Sequence, residues 1–264
     1  MEIQAIDQQI NDILNGTRDL LQFNKPEHAG VCSAGPLLVG ALLVCDNARR
    51  SLSAGSNVTA GEGNCKREQG IETADSVVSD RCLNECPAPP TNWQIDEAQE
   101  RQLQILAEAK GVWIPQADEW LQFKYGPMIA QGAEAKVFAR TGDTHVVKLR
   151  TSIYATLQRA LEAIALHNYL FPETIMRVIG FTRDAEGLFR IILTQPYITC
   201  KRLATMTEIN LMVGAKGFQN NQDNNGVNYI SDRLHLEDMH PANVFIEEST
   251  NTPICIDCIV KFCR

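Results

Sequence analysis

The alternation of apolar and polar positions divides the chain into stretches of different character. Residues 2–23 carry Ile3, Ile6, Ile10, Ile13, Leu14, Leu20 and Leu21 among Gln, Asp and Asn. That spacing is a helical stripe and predicts an amphipathic helix. Residues 36–45 (PLLVGALLVC) form a short apolar run. It is about half the roughly twenty residues that span a bilayer, and a buried strand or helix is favoured over an interfacial segment because no basic anchors flank its N-terminal side. Residues 51–80 lack periodicity and read as irregular. Order returns at Trp93. Residues 95–110 predict a helix opened by Asp96, striped by Leu103, Ile105, Leu106 and Ala109, and closed by Gly111. Residues 119–123, 128–131, 136–140 and 145–149 then alternate like strands, broken by Gly126, Gly132 and the hairpin turn around Gly142-Asp143. Residues 152–170 predict a helix closed by Phe171-Pro172, and 176–180, 188–195 and 197–199 return to strand patterning with a turn at 184–187. Strands, one helix and further strands imply an α+β lobe built on an antiparallel sheet.

Charge and cysteine content narrow the classes. A net charge of −8 argues against a chain whose task is to coat nucleic acid or anionic lipid, so direct nucleic-acid binding and membrane association are not expected. Nine cysteines at irregular spacing follow no basic-then-apolar leader, which leads to the expectation of a cytoplasmic chain with free thiols. One alternative use of them is a four-thiolate zinc site from Cys82, Cys86, Cys255 and Cys258.

The candidate chemistry begins near the end of the chain. Asp238 is followed after four residues by Asn243, a short apolar strand, a polar turn at 247–252, a second apolar strand and Asp257. Two paired strands would bring Asn243 and Asp257 to one end of a hairpin. One carboxylate to receive a hydroxyl proton, with an amide and a second carboxylate to hold Mg²⁺, is what phosphoryl transfer requires. Upstream, Lys148 is the interior residue of an apolar strand, where an ammonium needs a partner, and Glu162 on the next helix is the expected one. Gly132 lies in a hairpin where a missing side chain lets backbone amides approach phosphate oxygens. Gln195-Pro196-Tyr197 is an extended segment whose backbone groups are candidates for an adenine edge, making Gln195 and Tyr197 candidate nucleotide-binding residues.

Taken in order, these stretches resemble the protein kinase-like fold, and more narrowly the compact kinase-like domains of bacterial polyvalent proteins carried by mobile elements. The carrying residues are GAEAKVF (132–138), VVKL (146–149), LHNYLFPET (166–174), LTQPYI (193–198), YISD (229–232) and HPANVFI (240–246), within about 113–260. The resemblance implies a compact bilobal domain at 93–264. Its N-lobe is an antiparallel sheet with one helix at about 113–198, and its reduced C-lobe lies at about 199–264. A helical and partly irregular region at 1–92 precedes it. It implies an ATP- and Mg²⁺-dependent phosphotransferase acting on a hydroxyl acceptor. In that reading Asp238 is the base, Lys148 held by Glu162 sits at the phosphates, and Asn243 and Asp257 bind the metal. The pattern departs from full kinases in three places. Glu237 rather than Arg precedes Asp238, Cys-Ile follows Asp257, and no activation segment is expected after it. Asp232 competes with Asp238 for the role of base. Two other readings remain: a pseudokinase-like module that binds nucleotide or partner without turnover, and a hydrolytic metal cluster of His235, Glu237, Asp238 and His240.

Overall fold

The apolar run at 36–45 proves to be the start of a 20-residue helix, α1 (Pro36–Gly55). The computed structural model describes residues 36–55, 90–151, 153–222 and 226–263. The expected helix at 2–23, most of the irregular stretch, and Cys82 and Cys86 lie outside the described residues. In α1, Leu38, Ala41, Leu42 and Cys45 are fully buried. That i, i+3, i+4, i+7 spacing builds one helix face, whereas a strand would bury every second residue. The face packs on α2 (Asn92–Ala109) and α4 (Leu157–Leu170), in the same core cluster as Leu103, Ala107 and Leu161.

Helix α2 is opened by Thr91, not by Asp96. The Gln94 amide donates to Thr91 Oγ1 and Gln94 Oε1 accepts from the Thr91 amide, a reciprocal capping box. Asp96 caps a different helix. Its Oδ1 accepts from the Leu157 amide at 2.6 Å, and Gln99 Oε1 accepts from the Gln158 amide at 3.0 Å. The N-cap residue of α4, Thr156, makes no side-chain cap of its own, so α2 supplies the acceptors that the first turn of α4 requires.

The segment at 119–123 is a helix rather than the expected strand: α3 (Ala117–Tyr125), with Asp118 and Glu119 in its first turn and Lys124 in its last. Five alternating residues fit either period, and burial decides between them. Ala117 and Leu121, four apart, are buried, while Phe123 is 85% exposed. Gly126, at φ 97°, ends the helix.

Strands β1 (Met128–Gln131), β2 (Ala135–Phe138), β3 (His145–Thr151), β4 (Arg177–Arg183) and β5 (Phe189–Pro196) form one antiparallel sheet in the order β1-β2-β3-β5-β4. Its two faces differ. Phe138, Val147, Leu149 and Ile192 pack with Ile114, Ala117 and Leu121 under α3. The alternate residues of β3 and β5, including Lys148, Arg150, Ile191 and Leu193, occupy the opposite face, where Ile191 and Leu193 share a core with α4.

Beyond β5, the expected strand at 197–199 is a link. The Tyr197 amide is spent on Thr144 O, and pairing resumes only at β6 (Cys200–Leu203). Helix α5 (Met206–Gly214) follows, opened by a Thr205–Glu208 capping box that the hydrophobic pattern alone did not predict. Strands β6, β10 (Val244–Glu247) and β11 (Pro253–Cys255) form a three-stranded antiparallel sheet. Strands β7 (Gln219–Asn220), β8 (Tyr229–Ile230), β9 (Leu234–Glu237) and β12 (Ile259–Phe262) form a four-stranded one. The result is a mixed α/β fold with antiparallel sheets and five α-helices among the described residues. No helix of the described residues is long and apolar enough to cross a membrane.

Candidate functional site

A cleft of about 670 Å³ opens between the five-stranded sheet and the C-terminal hairpins. Gly132, Lys148, Gln195, Tyr197, Asp238, Asn243 and Asp257 line it, and Glu162 does not. Pairing of β10 with β11 sets Val244 opposite Cys255, and the Ile256 amide donates to Asn243 O, so Asn243 and Asp257 lie at the same end of that hairpin.

Asp238 stands at the end of β9 with φ 65°, a left-handed conformation unusual outside glycine. A short-range network holds it there. Asn243 Nδ2 donates to Asp238 Oδ2 and to its carbonyl, each at 2.9 Å. Asn228 Oδ1 accepts from the Asp238 amide at 3.3 Å. His240 Nδ1 accepts from the Ala242 amide, which turns Nε2 toward Asp238 Oδ1 at 3.4 Å. The Asp238 side chain keeps 42% exposure and faces the cleft. Asp232, its rival, is exposed in the turn between β8 and β9 and does not line the cleft.

Lys148 and Arg150, two apart on β3, project from one face and meet Asp257. Lys148 Nζ lies 3.7 Å from Asp257 Oδ2 and donates to Ile256 O at 3.0 Å. Arg150 Nη2 lies 3.4 Å from Asp257 Oδ1 and 3.4 Å from Glu134 Oε2 on the Gly132 turn. Burial works against ionisation of Asp257, but Lys148 and then Arg150 outweigh it and hold the carboxyl below its ordinary range. The Cys258 amide also donates to Asp257 Oδ1, at 3.0 Å.

The expected pair of Lys148 with Glu162 is not formed. Ile256 O and Asp257 take the ammonium, and Glu162, buried on α4, accepts from Gln158 Nε2 at 3.1 Å on the side where α1 and α2 pack. Gln195 lines the cleft but commits its side-chain amide to Thr174 O and Ile256 O, both at 3.0 Å, clasping the sheet to the C-terminal hairpin. Tyr197 lines the cleft with its ring partly exposed and its amide already spent. At Gly132 the amide donates to Ala135 O, and among the described residues a Cβ there would meet open space.

Arg150 and Glu134 are the residues sequence reasoning missed. Both carried a signal. Arg150 repeats the period-2 position of Lys148, and Glu134 sits inside the glycine turn. The hydrolytic cluster does not assemble. Glu237 pairs with Lys261, and the one group of three or more His, Cys, Asp or Glu with converging ligand atoms among the described residues is His167, Cys255 and Cys258.

A family model described as Serine/Threonine/Tyrosine Kinase found in polyvalent proteins matches residues 96–264. No curated protein matches the chain.

Proposed function

The chain belongs to that family of polyvalent-protein kinases, and from this premise we propose that it transfers the terminal phosphoryl group of ATP, with Mg²⁺, to a hydroxyl acceptor in the cleft. The five-stranded sheet with α4 acts as one lobe and the segment from about residue 199 as a reduced second lobe, joined through 197–199, within a domain at 93–264.

The observation that carries the reading is the convergence of two basic side chains on one carboxylate at the wall of a cleft that also holds Asp238. The donor set suits a hard cation. Asp257 is held ionised, and Asn243 spends its Nδ2 on Asp238, leaving an oxygen with no hydrogen bond among the described residues. Bound there, Mg²⁺–ATP supplies the phosphoryl group and offsets its charge. Lys148 and Arg150 then hold phosphate oxygens in place of part of their present contact with Asp257. Asp238, oriented by Asn243 and His240, accepts the proton of the attacking hydroxyl. Catalysis of this kind is positioning and fixed charge, which a preorganised network can supply.

A second reading is favoured by one observation: Lys148 is committed to Asp257 rather than to Glu162. The fold then binds nucleotide without turning it over. Calorimetry with ATP and Mg²⁺ on wild type and Asp257→Ala tests the site. The wild type is expected to bind and the variant to lose at least about tenfold in affinity, some 1.4 kcal/mol. Equal binding by both removes the metal-site assignment. Radiolabelled phosphate transfer separates the readings, since binding without transfer or hydrolysis leaves only the second.

A further inference from the structure

Behind Asp257 lies a cluster that phosphoryl transfer does not use. Cys255-Ile256-Asp257-Cys258 is a C-x-x-C turn, and His167 reaches it from α4, 91 residues away in sequence from Cys258. One ligand atom from each of the three lies within 4.8 Å of the others, and all three residues are buried. We propose that His167, Cys255 and Cys258 bind a thiophilic cation, Zn²⁺ or Cu⁺, as a structural centre that fixes the turn presenting Asp257 to the cleft.

The geometry fits such an ion. With Zn–N near 2.05 Å and Zn–S near 2.3 Å, the N to S edge of a tetrahedron is about 3.5 Å. His167 Nδ1 lies 3.3 Å from Cys258 Sγ. The outer contacts fit as well. His167 Nε2 is 3.2 Å from Thr174 O, so its N–H donates to that carbonyl and the Nδ1 lone pair turns toward the sulfurs. Metal-bound imidazoles are oriented in this way, by giving the distal N–H to a carbonyl. Thr174 Oγ1 in turn donates to Cys255 O at 2.7 Å, tying the same supporting residue to the thiol-bearing turn. The thioether of buried Met239 lies 3.9 Å from Cys255 Sγ, a further soft donor beside the cluster. Cys258 also lines the cleft, which gives an ion a route in. Two thiolates and an imidazole suit either ion, and a thioether suits Cu⁺ better. Binding releases the two thiol protons to solvent, and no electron is transferred.

The test is metal analysis of the full chain purified under reducing conditions, joined to Co²⁺ loading of the metal-free protein. The expected result is about one zinc or copper per chain, with thiolate-to-cobalt charge-transfer absorption in the Co²⁺ form. Cys258→Ser and Cys255→Ser should each lose the ion, whereas Cys82→Ser with Cys86→Ser should keep it. The metal analysis itself reads which of the two ions is held. A wild type that binds no zinc, copper or Co²⁺ overturns the proposal without requiring that any variant fold. So does full metal content in the Cys255→Ser/Cys258→Ser chain. ATP–Mg²⁺ binding is measured separately, so failure of the nucleotide reading and failure of this one stay distinct.

Discussion

Two partly buried polar clusters flank helix α4, and they are built from opposite materials. On the cleft side, Lys148, Arg150, Glu134 and Asp257 face one another as full charges. On the other side, Asp96 and Gln99 of α2 meet the amides of Leu157 and Gln158, and Gln99 Nε2 reaches Cys45 O of α1. The first can exchange partners, because a phosphate or a cation can replace a carboxylate or an ammonium at similar cost. The second cannot, because a backbone amide has no mobile substitute. One cluster is equipped to take a ligand and the other to fix three helices, and the difference lies in the facing side-chain ions that the first has beside its main-chain contacts and the second lacks.

The largest effect is expected at the mouth of the cleft. Asp238→Asn should lower phosphoryl transfer by about 10²- to 10⁴-fold, the usual worth of a positioned base. Nucleotide affinity by calorimetry should stay near wild type, and a matching loss of affinity would move Asp238 into the binding set. Next comes Asp257→Ala, which leaves Lys148 and Arg150 buried with one acidic partner fewer. It should cost about 3 kcal/mol in chemical denaturation, at the low end for a broken buried pair, because the Asp257 side chain keeps 24% exposure. Saturating nucleotide should recover part of it.

Asp96→Ala should cost about 1 kcal/mol, the ordinary worth of a helix cap, with no change in ATP binding. If affinity falls as well, the two sides of α4 are coupled and the contrast between them fails. The smallest effect is a difference in acid response. Asp257 titrates below its ordinary 3.8, so its contribution is complete above that value and is lost as pH falls through the folded-state pKa. Desolvation raises Asp96 above 3.8 against the pull of the Leu157 amide. The extra stability of its protonated form, separate from the cap itself, is therefore full below that value and is lost as pH climbs through the raised pKa. Melting curves of Asp257→Asn and Asp96→Asn against wild type across this range should diverge in opposite directions.

What the sequence disclosed and what it withheld follow the same division. Local periodicity and turn chemistry exposed β1 to β5, the helix at 157–170 and the hairpin joining Asn243 to Asp257. These depend on neighbours in the chain. The partners of Lys148 and Asp96 depend on elements far away. The ammonium found Ile256 O and Asp257, 108 and 109 residues downstream, rather than Glu162. Asp96 found the end of another helix, 61 residues on. Helix α5 was hidden less deeply, since Thr205 and Glu208 spell a capping box that an apolar-stripe search passes over. Helix α3 was misread because five residues are too few to separate a period of 2 from one of 3.6.

Asp238 holds a left-handed backbone, φ 65°, on a residue that carries a Cβ. Glycine takes that conformation without strain and asparagine takes it readily. An Asp238→Gly chain should therefore fold at least as well as the parent while losing the group that receives the proton. A library screened for expression or heat resistance would drift toward glycine at this position, and one screened for turnover would return to aspartate. The two selections pull a single codon in opposite directions.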